Sequence, residues 1–138
     1  MVIPPSGSSH AGRARPLLCG VHIAAAAEAL AYAEALGLDA GETWEVLRHG
    51  AAASFMLDDR GARMLQAEPP VRSAVDIFVK DMGLVVGAAE TAGMEPTLAS
   101  AARTRFLRAR EAGLGRADDS RVVDTYGVAV RPREVSAD

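Results

Sequence analysis

The clearest periodicity runs from Ser73 to Ala92, where Val75, Phe78, Val79, Met82, Val85, Val86 and Ala89 recur at spacings of three and four. Such spacing gathers them on one face of an α-helix, and that face must be covered by other elements. Upstream, Leu17 to Leu36 is rich in Ala and Leu, both strong helix formers, and stops at Gly37, which suits a helix C-terminus. Its large apolar residues Leu17, Leu18, Val21, Ile23, Leu30, Tyr32 and Leu36 keep to no narrow stripe. A helix apolar on most faces is expected to be buried on most faces, at the centre of a bundle or between subunits.

Weaker patterns fill in the remaining elements. A second helix is expected over about Gly41 to His49, with Trp44 and Leu47 on one side. A third is expected over about Ser54 to Gln66, with Ser54 as N-cap, and Glu68-Pro69-Pro70 ends that unit because proline lacks a donor. A fifth begins near Pro96, with Leu98, Ala102 and Phe106 as its apolar stripe and Arg103, Arg105, Arg108 and Arg110 as a solvated surface. After Gly113-Leu114-Gly115 comes a short sixth helix, about Asp119 to Thr125; Val128 to Val130 is too short to define a sheet. The expected architecture is an all-α helical bundle over residues 17–126, flanked by flexible tails at 1–16 and 127–138.

Composition narrows the functional classes. The 138 residues are 49% hydrophobic and 24% charged, with a net charge of -3, which fits one globular domain and provides no field for nucleic acid or an anionic membrane. A single cysteine, Cys19, excludes an internal disulfide and points to a cytoplasmic protein, with Cys19 expected as a buried structural thiol. Arg13-Ala14-Arg15 before an apolar stretch has the outline of a secretory signal, but Glu28 and Glu34 continue the helical pattern beyond it. The uncharged run is also short of the roughly 20 residues that span a bilayer. His22 has no partner at metal-ligand spacing and is expected as a hydrogen-bonded core residue, so no metal is expected.

More specific signals lie in three ordered segments. Leu17-Leu18-Cys19-Gly20-Val21-His22-Ile23-Ala24-Ala25-Ala26-Ala27-Glu28-Ala29-Leu30 with Gly37-Leu38-Asp39, then Arg72-Ser73-Ala74-Val75-Asp76-Ile77-Phe78-Val79-Lys80-Asp81-Met82-Gly83-Leu84, then Gly113-Leu114-Gly115 through Asp118-Asp119-Ser120 occur in that order. Together with Ser54-Phe55-Met56, they resemble the C-terminal domain of the β-hydroxyacid dehydrogenases, most of all their threonate branch. The resemblance implies a fold like the C-terminal domain of 6-phosphogluconate dehydrogenase. It further implies a homodimer formed through the first helix, and NAD or NADP as cofactor of the complete enzyme. By the same resemblance Lys80 and Asp81 lie at the cofactor and Ser73 at the substrate. Plainer roles stand beside these: Lys80 pairing with Asp76 one turn away, and Ser73 or Ser54 capping a helix.

The departures from the family pattern carry equal weight. Ser6-Gly7-Ser8-Ser9 lacks the glycine spacing and the βαβ setting of a dinucleotide-binding turn. The family's Lys-x-x-Asn motif, whose lysine moves the substrate hydroxyl proton, falls on Gly12 and Arg15. Glycine has no side chain, and a permanently charged arginine is a poor proton shuttle. The expectation is a substrate-side and dimerisation domain that is inactive and binds no cofactor tightly alone, as a truncated product, a misplaced start or an isolated domain. Its partner would be a separate Rossmann half or a full-length dehydrogenase. The alternative is a non-enzymatic module that pairs with such a relative.

Overall fold

The computed structural model describes residues 11–132, and among these the regular elements are all helices, with no strand. Five α-helices follow in order: α1 (Ala14–Ala35), α2 (Ala40–Leu47), α3 (Phe55–Met64), α4 (Val75–Thr91) and α5 (Thr97–Ala109). A π-helical turn, Arg110–Leu114, extends α5, and a closing 3₁₀ helix spans Asp119–Tyr126.

α1 packs against each of the other α-helices and the 3₁₀ helix. Its alanines make this possible: Ala24, Ala26, Ala27, Ala31 and Ala33 are buried beside Ile23 and Leu30, and their small side chains let neighbouring backbones come near. At Gly20 the approach is closest, since a Cβ there would lie 2.2 Å from the sulfur of Met82 on α4. By length and composition α1 could cross a bilayer, and it is the one described helix that could. Its position as the core helix of the bundle accounts for the same composition. α1 ends in a left-handed Gly37 (φ 79°), whose N–H donates to Glu34 while that of Leu38 donates to Ala33. This pair of bonds satisfies the orphan carbonyls of the last turn.

Three expectations change. α1 begins at Ala14 rather than Leu17, because Pro16 occupies the first turn, where a missing N–H costs nothing. The segment after Tyr126 is tied down: Val130 packs on the core, and Arg131 meets Glu34 at 3.2 Å and Asp39 at 3.8 Å. The rest of the two expected tails, 1–10 and 133–138, lies outside the described residues. In α5 the buried stripe is Ala99, Ala102, Phe106 and Ala109, whereas Leu98 is 69% exposed. The α4 stripe is as its spacing suggests, with Val75, Phe78, Val79, Met82 and Val86 buried and Phe78 stacked on Phe106 at 5.2 Å.

Caps fix the shorter helices. Asp39 accepts the Glu42 N–H at 2.9 Å, and Ser54 accepts that of Leu57 at 3.0 Å. Trp44 joins α2 to α3 by donating its indole N–H to the Leu57 carbonyl at 2.8 Å, close to Gly61, where a Cβ would come within 2.6 Å of the ring.

Candidate functional site

Ser73, Lys80 and Asp81 sit at and along the first half of α4. Ser73 does not cap this helix: the residue at the cap is Ala74, and no side chain accepts there. Backbone does the work instead. The Val75 and Asp76 N–H groups donate to the carbonyls of Ala117 and Gly115, both at 2.9 Å, and Asp119 donates to the Ser73 carbonyl at 2.7 Å. The Ser73 hydroxyl is left without a hydrogen bond among the described residues. Lys80 is exposed, and its expected partner Asp76 is engaged elsewhere, with Arg110 at 2.8 Å. Ile77 and Leu84 flank Lys80 on the helix and are 48% and 64% exposed, so uncovered apolar side chains stand on either side of an ammonium that has no partner among the described residues. Asp81 is half-buried beside it.

The start of α1 forms a second locus. Arg15, Cys19 and His22 line a cavity of about 570 Å³ with Ser54, Phe55 and Met56 from the start of α3. His22 is half-buried and makes no hydrogen bond among the described residues, so it is not the satisfied core histidine expected; Cys19 is also half-buried rather than enclosed. The structure thus brings Arg15, His22 and Ser54 together. Ser73, Lys80 and Asp81 line neither this cavity nor four others on the bundle. Among the described residues no group of three or more His, Cys, Asp or Glu side chains could hold a metal.

Between α3 and the closing segment lies an ionic clasp that sequence reading missed. Asp118 and Asp119 are fully buried. The Arg63 Nε donates to Asp118 at 2.9 Å, its Nη1 to Asp59 at 2.8 Å, and its Nη2 to Asp119 at 3.3 Å. Arg60 grips Asp119 through Nε at 3.1 Å and Nη2 at 3.0 Å, a forked contact. Burial alone would raise the Asp118 carboxyl, but hydrogen bonds from Arg63, from Ser120 and from the Arg72 N–H outweigh it and hold the group at about 2. Burial pushes Asp119 upward, against the pull of Arg60. The sequence signal was the acidic pair beside Ser120 and the arginines on one face of α3, but nothing local joins residues so far apart in the chain.

The arginines of α5 also depart from a plain solvated face. Arg103 lies against Gly83 with a buried Nε that has no hydrogen-bond partner among the described residues, and Arg105 stacks over Tyr126. Arg108, and Arg110 in the turn that follows, are exposed.

The sequence model described as NAD-binding of NADP-dependent 3-hydroxyisobutyrate dehydrogenase matches residues 13–126. The chain belongs to this dehydrogenase family. L-threonate dehydrogenase of Cupriavidus necator is 42% identical over 110 residues, covering 80% of the chain and 37% of that protein. The enzyme of the same name from Escherichia coli K12 is 40% identical over 116 residues, covering 84% and 38%. The crystal structure of a 3-hydroxyisobutyrate dehydrogenase from Salmonella typhimurium superposes with a TM-score of 0.84 at 41% identity, over 88% of this chain and 43% of that one. The chain therefore spans less than half the length of the family members it matches.

Proposed function

We propose that this chain is the substrate-side and dimerisation half of an NAD(P)-dependent dehydrogenase acting on a small hydroxy acid of the L-threonate class. The observation that carries the reading is the free Lys80 ammonium, set between exposed Ile77 and Leu84 on the helix that bears the family's second motif. Such a strip fits the nicotinamide end of a cofactor, with apolar contact for the ring and a cation for a carboxamide or carboxylate oxygen. A pyrophosphate has no equivalent cradle in these residues. Bound nicotinamide would accept the hydride from the hydroxyl-bearing carbon. Ser73, with its hydroxyl unspent, would meet the substrate, and Asp81 would stand beside Lys80. Gly12 leaves the family's proton-transfer position empty of a side chain, so the 138-residue chain alone is expected to be inactive.

Complementation tests this reading. The nucleotide-binding half of the E. coli L-threonate dehydrogenase, supplied with this chain carrying Gly12→Lys, should restore measurable L-threonate-dependent NAD reduction. Lys80→Met in that assembly should lower the rate at least about tenfold. Unchanged turnover with Lys80→Met would remove Lys80 from the site, and turnover by the unmodified chain alone would sink the reading.

A second reading has its own support. Leu18 and Tyr32 on α1 and Leu36 at its C-cap, with Leu38, Val46 and Phe55 further along the chain, are all more than half exposed in the single protomer. Uncovered apolar surface of this kind favours pairing, either with a second copy or with a full-length relative. Co-purification with such a relative, without any gain in turnover, would favour an interaction module over a catalytic half.

A further inference from the structure

Between the middle of α1 and the first half of α5 runs a groove of about 360 Å³, lined also by Tyr126. Its floor is apolar, built by Val21, Ala24, Ala25 and Ala102. Leu98 is 69% exposed, an aliphatic side chain left uncovered at the edge. None of the residues assigned above to substrate or cofactor lines this groove.

Two opposite charges face it. The Arg105 guanidinium lies 4.2 Å from the centroid of the Tyr126 ring and donates through Nη1 to the Thr125 carbonyl at 3.1 Å. Tyr126 is anchored in turn, donating its hydroxyl to the Ala24 carbonyl at 3.1 Å. A guanidinium carries five N–H donors, so a fixed arginine with further donors borders the groove. The Glu28 carboxylate, also on the lining, forms no ion pair or hydrogen bond among the described residues, with Arg105 or with any other group. Both charges nevertheless act on one phenol. Burial, and after it the Glu28 charge, push the Tyr126 hydroxyl up to about 12, while Arg105 opposes them. A carboxylate and a guanidinium thus border one apolar groove with no ion pair between them.

We propose that this groove binds a free aliphatic α-amino acid, with its ammonium on Glu28, its carboxylate on Arg105 and its side chain on the alanine floor. A bare anion would leave Glu28 facing like charge, and a bare cation would leave Arg105 in the same position. A zwitterion satisfies both at once. The groove volume falls within the range of small-molecule sites, roughly 300–1,000 Å³. Arg105 is already held in place by the ring and the carbonyl, so little side-chain freedom remains to be lost on binding.

The experiment is an amide chemical-shift titration of the 138-residue chain with L-leucine, then with 4-methylpentanoate, which lacks the ammonium, and 3-methylbutylamine, which lacks the carboxylate. L-leucine should give saturable shifts at Ala24, Ala25, Glu28 and Tyr126, and each analogue should bind at least about tenfold more weakly, as expected for loss of one charge-assisted contact. Glu28→Gln, at an exposed position, should keep the folded spectrum and weaken L-leucine about tenfold without weakening 4-methylpentanoate. The proposal is overturned by no saturable shift up to about 10 mM L-leucine, by analogues that bind as well as L-leucine, or by shifts confined to another part of the bundle.

Discussion

Replacing Arg63 with methionine puts the ionic clasp to a quantitative test. The side chain is 6% exposed and supplies donors to three carboxylates, at 2.9 Å to Asp118, 2.8 Å to Asp59 and 3.3 Å to Asp119. Removing one partner of a buried ionic network leaves uncompensated charge, which costs about 3–5 kcal/mol. Here Asp118 keeps donors from Ser120 and the Arg72 N–H, and Asp119 keeps the fork of Arg60, so the lower figure of about 3 kcal/mol is expected. That is a large share of a stability of about 5–15 kcal/mol, and it should lower the urea midpoint by about 1–3 M. Unfolding followed both by circular dichroism and by the fluorescence of Trp44 would measure it. Adding Asp118→Asn to Arg63→Met removes the stranded charge and should recover at least about 1 kcal/mol relative to additivity. A loss below about 1 kcal/mol for Arg63→Met, or strict additivity in the double variant, would refute the clasp as a source of stability.

Three further outcomes follow from the same fold. Asp118 titrates at about 2 in the fold against an ordinary 3.8, so its stabilising contribution is complete above the unfolded value and is lost as pH falls through the folded one. The wild type should therefore lose about 2 kcal/mol more than Asp118→Asn between about pH 4 and pH 2; parallel losses in acid titrations would contradict this. Gly61→Ala places a methyl group 2.6 Å from the Trp44 indole nitrogen and should cost about 1–3 kcal/mol, with a shift in Trp44 emission as its bond to the Leu57 carbonyl loosens; unchanged emission and stability would show that the ring has room to move. Light scattering should find a dimer, and Tyr32→Glu together with Leu36→Glu should shift it toward monomer; a soluble monomer over a broad concentration range before substitution would remove the case for self-association.

Helices were legible where one face carried the signal. The spacing from Val75 to Val86 on α4 identified its buried side, and Gly37 marked the end of α1. Leu98 misled because apolar character alone does not say which of two adjacent stripes turns inward; the alanines at 99 and 102 pack closer, and Leu98 is left over the groove. Ser73 looked like a cap because cap chemistry is read locally, whereas the N–H groups of α4 are met by carbonyls near residue 117. The Asp76 and Lys80 pairing failed for a similar reason, since a distant Arg110 took the carboxylate. The three family segments gave the positions of Ser73, Lys80 and Asp81 in the chain, but not that Lys80 would stand free or that His22 would face a cavity beside Arg15. Those features depend on which helices meet, and a single sequence does not report it.

The clasp also bears on how quickly the fold comes apart. It joins positions 59 residues apart between Arg60 and Asp119, and 46 apart between Arg72 and Asp118. Closing spans of that length costs chain entropy before any contact rewards it, so helix pairs near in sequence can dock first and the clasp last. Interactions that form after the folding barrier hardly change the rate of folding and act on the rate of unfolding. A substitution at Arg63 should therefore leave the refolding arm of a chevron nearly in place and raise the unfolding arm, making the closing segment the latch that sets the lifetime of the native bundle.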